Sequence, residues 1–207
     1  MKRGLTLVGV ALMVVGWYAP WLTSTRQLAA LTYNALDLVE FAKFVMRAGP
    51  ANIAREWFLV PIAAAALSLA LWANPPGRFP RVLRALLTLS AFLFALVPLP
   101  PYPFLLKAYS SAEDRFSFWL SVAGVLGVAF IFVFGARITG RWRGVAFVAL
   151  ALIGAALATW ELFARALPAI STVYGSTAGV GWGLVVMLIG SALAAICGWA
   201  GSERRET

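Results

Sequence analysis

Six stretches of this 207-residue chain are long, apolar and nearly free of charge: residues 4–22, 57–74, 83–101, 117–136, 144–164 and 180–200. A bilayer has a hydrocarbon core about 30 Å thick, and a helix crossing it needs about 20 apolar residues. Each stretch meets that length within ordinary tilt and mismatch. At that depth no water binds backbone N–H and C=O groups, so a crossing segment is a helix or a strand of a closed barrel. Barrel strands are about ten residues long and alternate strictly; these runs are much longer and do not alternate. The pattern predicts an all-α fold, a polytopic integral membrane protein folded as one domain over residues 1–207, with six transmembrane helices in a bundle.

Composition agrees with this. The chain is 62% hydrophobic and 12% charged, whereas a soluble domain is about half apolar and about a quarter charged. Met1-Lys2-Arg3 and the apolar run behind it resemble the opening of a signal peptide, but the run ends in Gly16-Trp17-Tyr18-Ala19-Pro20-Trp21. Bulky rings stand where a cleavage site needs small residues. The run reads as a retained first helix whose aromatics anchor its outer end.

Basic residues set the orientation. With the N-terminus inside, the inner segments hold Lys2, Arg3, Arg78, Arg81, Arg84, Arg137, Arg141, Arg143, Arg204 and Arg205 against Glu203 and Glu206. The outer segments hold seven basic residues (Arg26, Lys43, Arg47, Arg55, Lys107, Arg115 and Arg165) and six acids (Asp37, Glu40, Glu56, Glu113, Asp114 and Glu161). The short inner loops are the denser in Lys and Arg, so both termini are expected in the cytoplasm and the chain in a cell (inner or plasma) membrane. The same distribution disposes of a nucleic-acid partner despite the net charge of +9, because the basic residues sit in short clusters between apolar runs rather than on one face.

The loops differ in kind. Inner turns such as Ala73-Asn74-Pro75-Pro76-Gly77 stop a helix briefly. The first outer loop, 23–56, carries a predicted amphipathic helix over about 28–47: Asp37, Glu40, Lys43 and Arg47 recur at three- and four-residue spacing, opposite Leu31, Ala35, Leu38, Ala42 and Val45. That helix is expected to lie on the outer surface or to cap the bundle. The second outer loop, Val97-Pro-Leu-Pro-Pro-Tyr-Pro-Phe104, cannot continue a helix because proline removes donors and clashes with the preceding turn. Glu113 and Asp114 then precede the fourth run, where acids favour the positive end of the helix dipole.

Several chemistries are hard to build here. There is no histidine, which removes the commonest metal ligand and the commonest general base near neutral pH. Cys197 is the only cysteine, so neither an intrachain disulfide nor a dithiol relay can form. Ion- or proton-coupled transport usually leaves ionisable groups inside the spans; here Glu161 and Arg165 come nearest, four residues apart at the outer end of the fifth run. The expectation is no enzyme, no metal and no cofactor.

The small and aromatic residues speak of contacts. Gly175, Gly179 and Gly183 recur at four-residue intervals into the sixth run, Ala194 and Gly198 repeat that spacing, and Gly124 and Gly127 lie in the fourth. Small residues let membrane helices approach closely. Trp17, Trp21, Trp57, Trp119, Trp160 and Trp182 map to the outer half with all five tyrosines, Tyr102 and Tyr109 among them; Trp72, Trp142 and Trp199 map inside. An anchoring belt occupies both interfaces, so the outer excess points to ordered loops, a docking surface or a vestibule for a lipophilic molecule.

The expected function is that of a non-catalytic subunit of a larger membrane complex, in contact with lipid and with other membrane or outer-face proteins. It would dock through its outer loops, with Asp37, Glu40, Lys43, Arg47, Tyr102, Tyr109, Glu113, Asp114, Arg115, Glu161, Arg165 and Trp182 as candidate contacts, and through its small-residue helix faces. The alternative is a small transporter or lipid-binding protein with an outer aromatic vestibule.

Overall fold

The computed structural model describes residues 2–24, 32–48, 53–74, 80–100, 104–111, 114–138, 140–174 and 178–202. Helix α1 (Lys2–Tyr18) is followed by strands β1 (Leu22–Ser24) and β2 (Thr32–Tyr33) and by helix α2 (Ala35–Ala48). A 3-10 turn, Arg55–Leu59, leads into α3 (Val60–Ala73), and α4 is Arg81–Leu96. After a second 3-10 turn at Phe104–Lys107 come α5 (Arg115–Phe134), α6 (Gly140–Glu161), a π-turn (Leu162–Ala166), α7 (Leu167–Tyr174), β3 (Ala178–Val180) and α8 (Trp182–Ser202). Among the described residues α1 and α8, α3 and α6, and α4 and α5 pack as antiparallel pairs.

Helix α3 is the axis of the bundle. It is apolar all round, a pattern that belongs to a helix buried on every side, and nearly every residue from Val60 to Ala73 is buried. It packs against α1, α4, α5 and α6. Its run Ala63-Ala64-Ala65-Ala66 presents so little bulk that four neighbours can come close.

Helices α1 and α8 lie antiparallel, almost backbone to backbone. A Cβ on Gly9 would sit 2.6 Å from the Ala194 nitrogen, and one on Gly190 would sit 2.6 Å from that of Met13. A Cβ on Gly16 would collide with the backbone of Met187. Without a hydrophobic drive between helices in lipid, such close approach supplies the van der Waals contact that holds them together.

At one end the bundle is closed by a cap. β1 pairs antiparallel with β2 (Leu22↔Tyr33) and with β3 (Leu22↔Val180, Thr23↔Gly179), giving the order β2-β1-β3. The pairing continues beyond the strands: Trp21 N–H donates to Tyr33 O and Gly181 N–H to Trp21 O, each at 2.7 Å. Helix α2 covers the same end, its residues Ala35, Leu38, Ala42 and Val45 buried in a cluster with Trp17, Trp21, Phe58, Leu162 and Leu184.

The structure revises several sequence expectations. Among the described residues four helices are long and apolar enough to cross a membrane: Arg55–Ala73, Arg115–Phe134, Gly140–Val173 and Trp182–Ser202. Gly4–Tyr18 is a shorter apolar helix, and α4 has 16 residues. The first run stops at Tyr18 rather than 22 because Pro20 ends it and Leu22 joins the sheet. The fifth continues past 164 to Tyr174 through the π-turn, where Leu167 N–H bonds the Leu162 carbonyl. Pro168 lacks an N–H and its ring crowds the carbonyl four residues back, so one widened turn ahead of it keeps the helix unbroken. The helix expected over 28–47 starts at Ala35, behind β2; residues 25–31 lie outside the described set. The all-α class holds, with a three-stranded sheet added.

Large apolar side chains face outward on the bundle's perimeter, including Val82, Leu126, Trp160 and Ile196, each more than 60% exposed. Soluble monomers rarely leave such a surface open. With its four apolar helices of crossing length, the fold is that of a helical membrane protein.

Candidate functional site

The capped end is where most of the sequence-derived candidates gather, and it is built around the segment Ile53–Leu59. This segment turns the chain from α2 into α3 and is clamped by a carboxylate on either side. Glu161, 1% exposed at the end of α6, accepts the Ala54 N–H at 2.6 Å and lies 3.5 Å from the Arg165 Nη1 one turn on. On the other side the Arg55 guanidinium, 3% exposed, donates from Nη2 to Asp114 Oδ1 at 3.2 Å. Its Nε lies 3.5 Å from Glu56 Oε1. The remaining nitrogen, Nη1, is buried without a hydrogen-bond partner among the described residues.

A buried carboxylate or guanidinium is costly unless its bonding capacity is used. Here Glu161 is matched by Arg165 and ties down the Ala54 N–H, and Arg55 is matched by Asp114 and Glu56. The knot therefore reads first as a fastening of the cap. Two indoles reinforce it. Trp17 Nε1–H donates to Phe58 O at 2.7 Å, and Trp21 Nε1–H donates to Gly16 O at 2.8 Å. Both tryptophans are fully buried, which corrects their reading as lipid-interface anchors: they hold the cap to the first helix.

Beside the knot, α2 presents its polar face. Asn34 and Asp37 form a reciprocal cap, with Asp37 N–H donating to Asn34 Oδ1 at 2.9 Å and Asn34 N–H to Asp37 Oδ2 at 3.0 Å. Glu40 and Lys43 pair at 2.7 Å on the exposed surface. Asp37 and Glu40, with Thr32, Tyr33, Phe41 and Phe44, line an open groove of about 520 Å³. Tyr33 and Phe41 meet edge to face, 5.7 Å between ring centres.

The remaining candidates scatter. Tyr109 is exposed and packs on Phe118, and Arg115 and Trp182 are exposed at the starts of α5 and α8. Tyr102, Glu113 and Gly175 lie outside the described residues, as does the side chain of Arg47. Gly179 belongs to β3 and Gly183 to α8, so the four-residue interval there is not one helical face. Gly183 abuts the Ala19 carbonyl, Gly124 faces Ala95, Gly127 faces Leu67 and Gly198 faces Phe147. All four pack within their own bundle.

Sequence reasoning left Arg55 and Glu56 out of the site and passed over Gly9, Gly16 and Gly190. The seven-residue spacing Gly9–Gly16 and Gly183–Gly190 was the available signal for the α1–α8 contact. Arg55 offered none, since its acceptor Asp114 is 59 residues away.

Among the described residues no group of three His, Cys, Asp or Glu side chains could hold a metal ion. The chain matches no known protein family, no curated protein and no solved structure.

Proposed function

We propose that this chain is a non-catalytic integral membrane subunit of a larger membrane assembly, docking through its capped end. It crosses the membrane six times, with both termini on the cytoplasmic side. The observation that carries the reading is the pairing of a closed, fastened cap with a bundle whose axis is filled by α3. A cap of this kind is extra structure beyond what crossing the membrane needs, and it presents a groove with exposed charge and aromatic rings, the surface chemistry of a polar protein interface.

Six crossings are supported by the helix pairs. α1 has 17 residues, roughly 25 Å at about 1.5 Å per residue, short of the core thickness taken alone. Yet its glycines seat it along α8 from Ala194 to Gly183, so wherever α8 crosses, α1 crosses too. α4 is held likewise between α3 and α5. The arginines at the uncapped end support the inside placement of the termini.

Purification from native membranes in a mild detergent tests the proposal. Recovery of stoichiometric partner proteins is expected, and their loss when Glu40 and Phe44 are changed to Ala would place the contact on α2. Recovery as a lone monomer would overturn it.

A second reading, a protein that holds a lipophilic molecule, draws on an open apolar crevice of about 420 Å³ between α6 and α8, lined by Leu152, Ala155, Thr159, Trp160, Phe163 and Leu188. A photoactivatable lipid that failed to label this crevice above background would exclude it.

A further inference from the structure

The end of the bundle opposite the cap has a surface the subunit reading does not use. Among the described residues every acid (Asp37, Glu40, Glu56, Asp114 and Glu161) belongs to the capped end, whereas Arg81, Arg84, Arg137, Arg141 and Arg143 gather at the other. A signal for membrane orientation needs only the charge of such residues. These arginines have more. The Arg84 guanidinium lies 5.3 Å from the ring centre of Phe132, that of Arg137 lies 5.4 Å from Phe134, and that of Arg141 lies 5.6 Å from Trp142. All three are within the range of cation–π attraction.

The local chain places them at one end of the bundle. Phe132 and Phe134 end α5, and the turn through Arg137 is followed by Gly140, whose φ of 55° starts α6. That left-handed conformation suits glycine. Arg141 and Trp142 follow Gly140 in the first turn of α6, while Arg84 in the first turn of α4 reaches Phe132. Arg84 spends its Nε on Asn74 Oδ1, at 3.0 Å. Arg137 and Arg141 are exposed, and so are Phe132, Phe134 and Trp142.

We propose that this end binds anionic phospholipid: the phosphate of the headgroup sits against the guanidinium edges of Arg137 and Arg141, and its glycerol and upper acyl chain against Phe134 and Trp142. A guanidinium held near a ring by cation–π attraction keeps N–H donors for a phosphate, which it can meet with two parallel bonds. The rings that carry the arginines are the outward-facing apolar ones, so charge and oil lie in the order a phospholipid needs. The local excess of positive charge fixes the sign of the ligand.

The test is native mass spectrometry of the full chain in mild detergent, titrated separately with phosphatidylglycerol and phosphatidylcholine of matched acyl chains. The native protein is expected to bind phosphatidylglycerol at least about fivefold more tightly. The affinity should fall about fivefold for each arginine lost in Arg137→Gln and Arg141→Gln, with phosphatidylcholine binding unchanged. A doubly substituted Lys variant, which keeps charge but not the planar two-donor fork, should fall between native and Gln. Both arginines are exposed, so an unchanged melting temperature is expected and should be measured alongside. Equal affinity for the two lipids, or a Gln pair that binds phosphatidylglycerol as the native chain does, would overturn the proposal. So would displacement of the lipid by an equimolar amount of inorganic phosphate, which would make the site one for free phosphate.

Discussion

Glu161 shows how one side chain can serve a whole end of the molecule. Its oxygen takes the Ala54 N–H and lies beside the Arg165 guanidinium, so it joins α6 to the segment that opens α3. Replacing it with Leu leaves the half-buried Ala54 amide without its acceptor, a loss of about 1 kcal/mol. Denaturation in detergent should show that loss for Glu161→Leu and a smaller one for Glu161→Gln, whose amide oxygen still accepts. Equal stability of the Leu variant and the native protein would remove Glu161 from its fastening role. Trp17 is a milder case. Trp17→Phe keeps the buried ring but deletes the donor to Phe58 O, and should cost about 1 kcal/mol.

At the scale of elements the α1–α8 pair is the sharpest contrast. A side chain at Gly16 or Gly190 would run into the facing backbone, whereas a Cβ at Gly4 meets nothing within 4 Å. Gly16→Leu or Gly190→Leu should therefore destabilise the bundle by about 3 kcal/mol or more, or prevent its assembly. Gly4→Leu should be tolerated. Comparable melting temperatures for all three variants would show that α1 and α8 do not meet as described.

Much of this scale was readable from the residues. Apolar length locates the helices of the bundle though not all their ends, and the four-and-three spacing of α2 picks out its buried side, Ala35, Leu38, Ala42 and Val45. The ends were harder. Leu22–Ser24 pairs with Ala178–Val180, strands of three residues far apart in the chain and too short to carry a period of two. The Ala54–Glu161 bond spans 107 residues and ends on a backbone N–H, which every residue but proline possesses, so no residue type marked it. Pro168 was visible, but proline alone does not tell a break from a π-turn. Asn34 and Asp37 were legible as a cap and would have moved the start of α2 to its true place.

For the molecule as a whole the proposed arrangement sets the cap on one side of a bilayer and the arginine-rich end on the other, with α3 buried between them. The perimeter carries the large exposed apolar side chains that a lipid environment would cover. Cysteine labelling tests this most directly. With Cys197 replaced by Ser, the chain has no other cysteine, and single cysteines can then be placed at Lys43 on the cap and at Arg141 on the opposite end. In intact cells a membrane-impermeant maleimide should label the Lys43→Cys chain and leave the Arg141→Cys chain unlabelled until the cells are opened. Labelling of both from the same side, or of Arg141→Cys alone in intact cells, would contradict the arrangement.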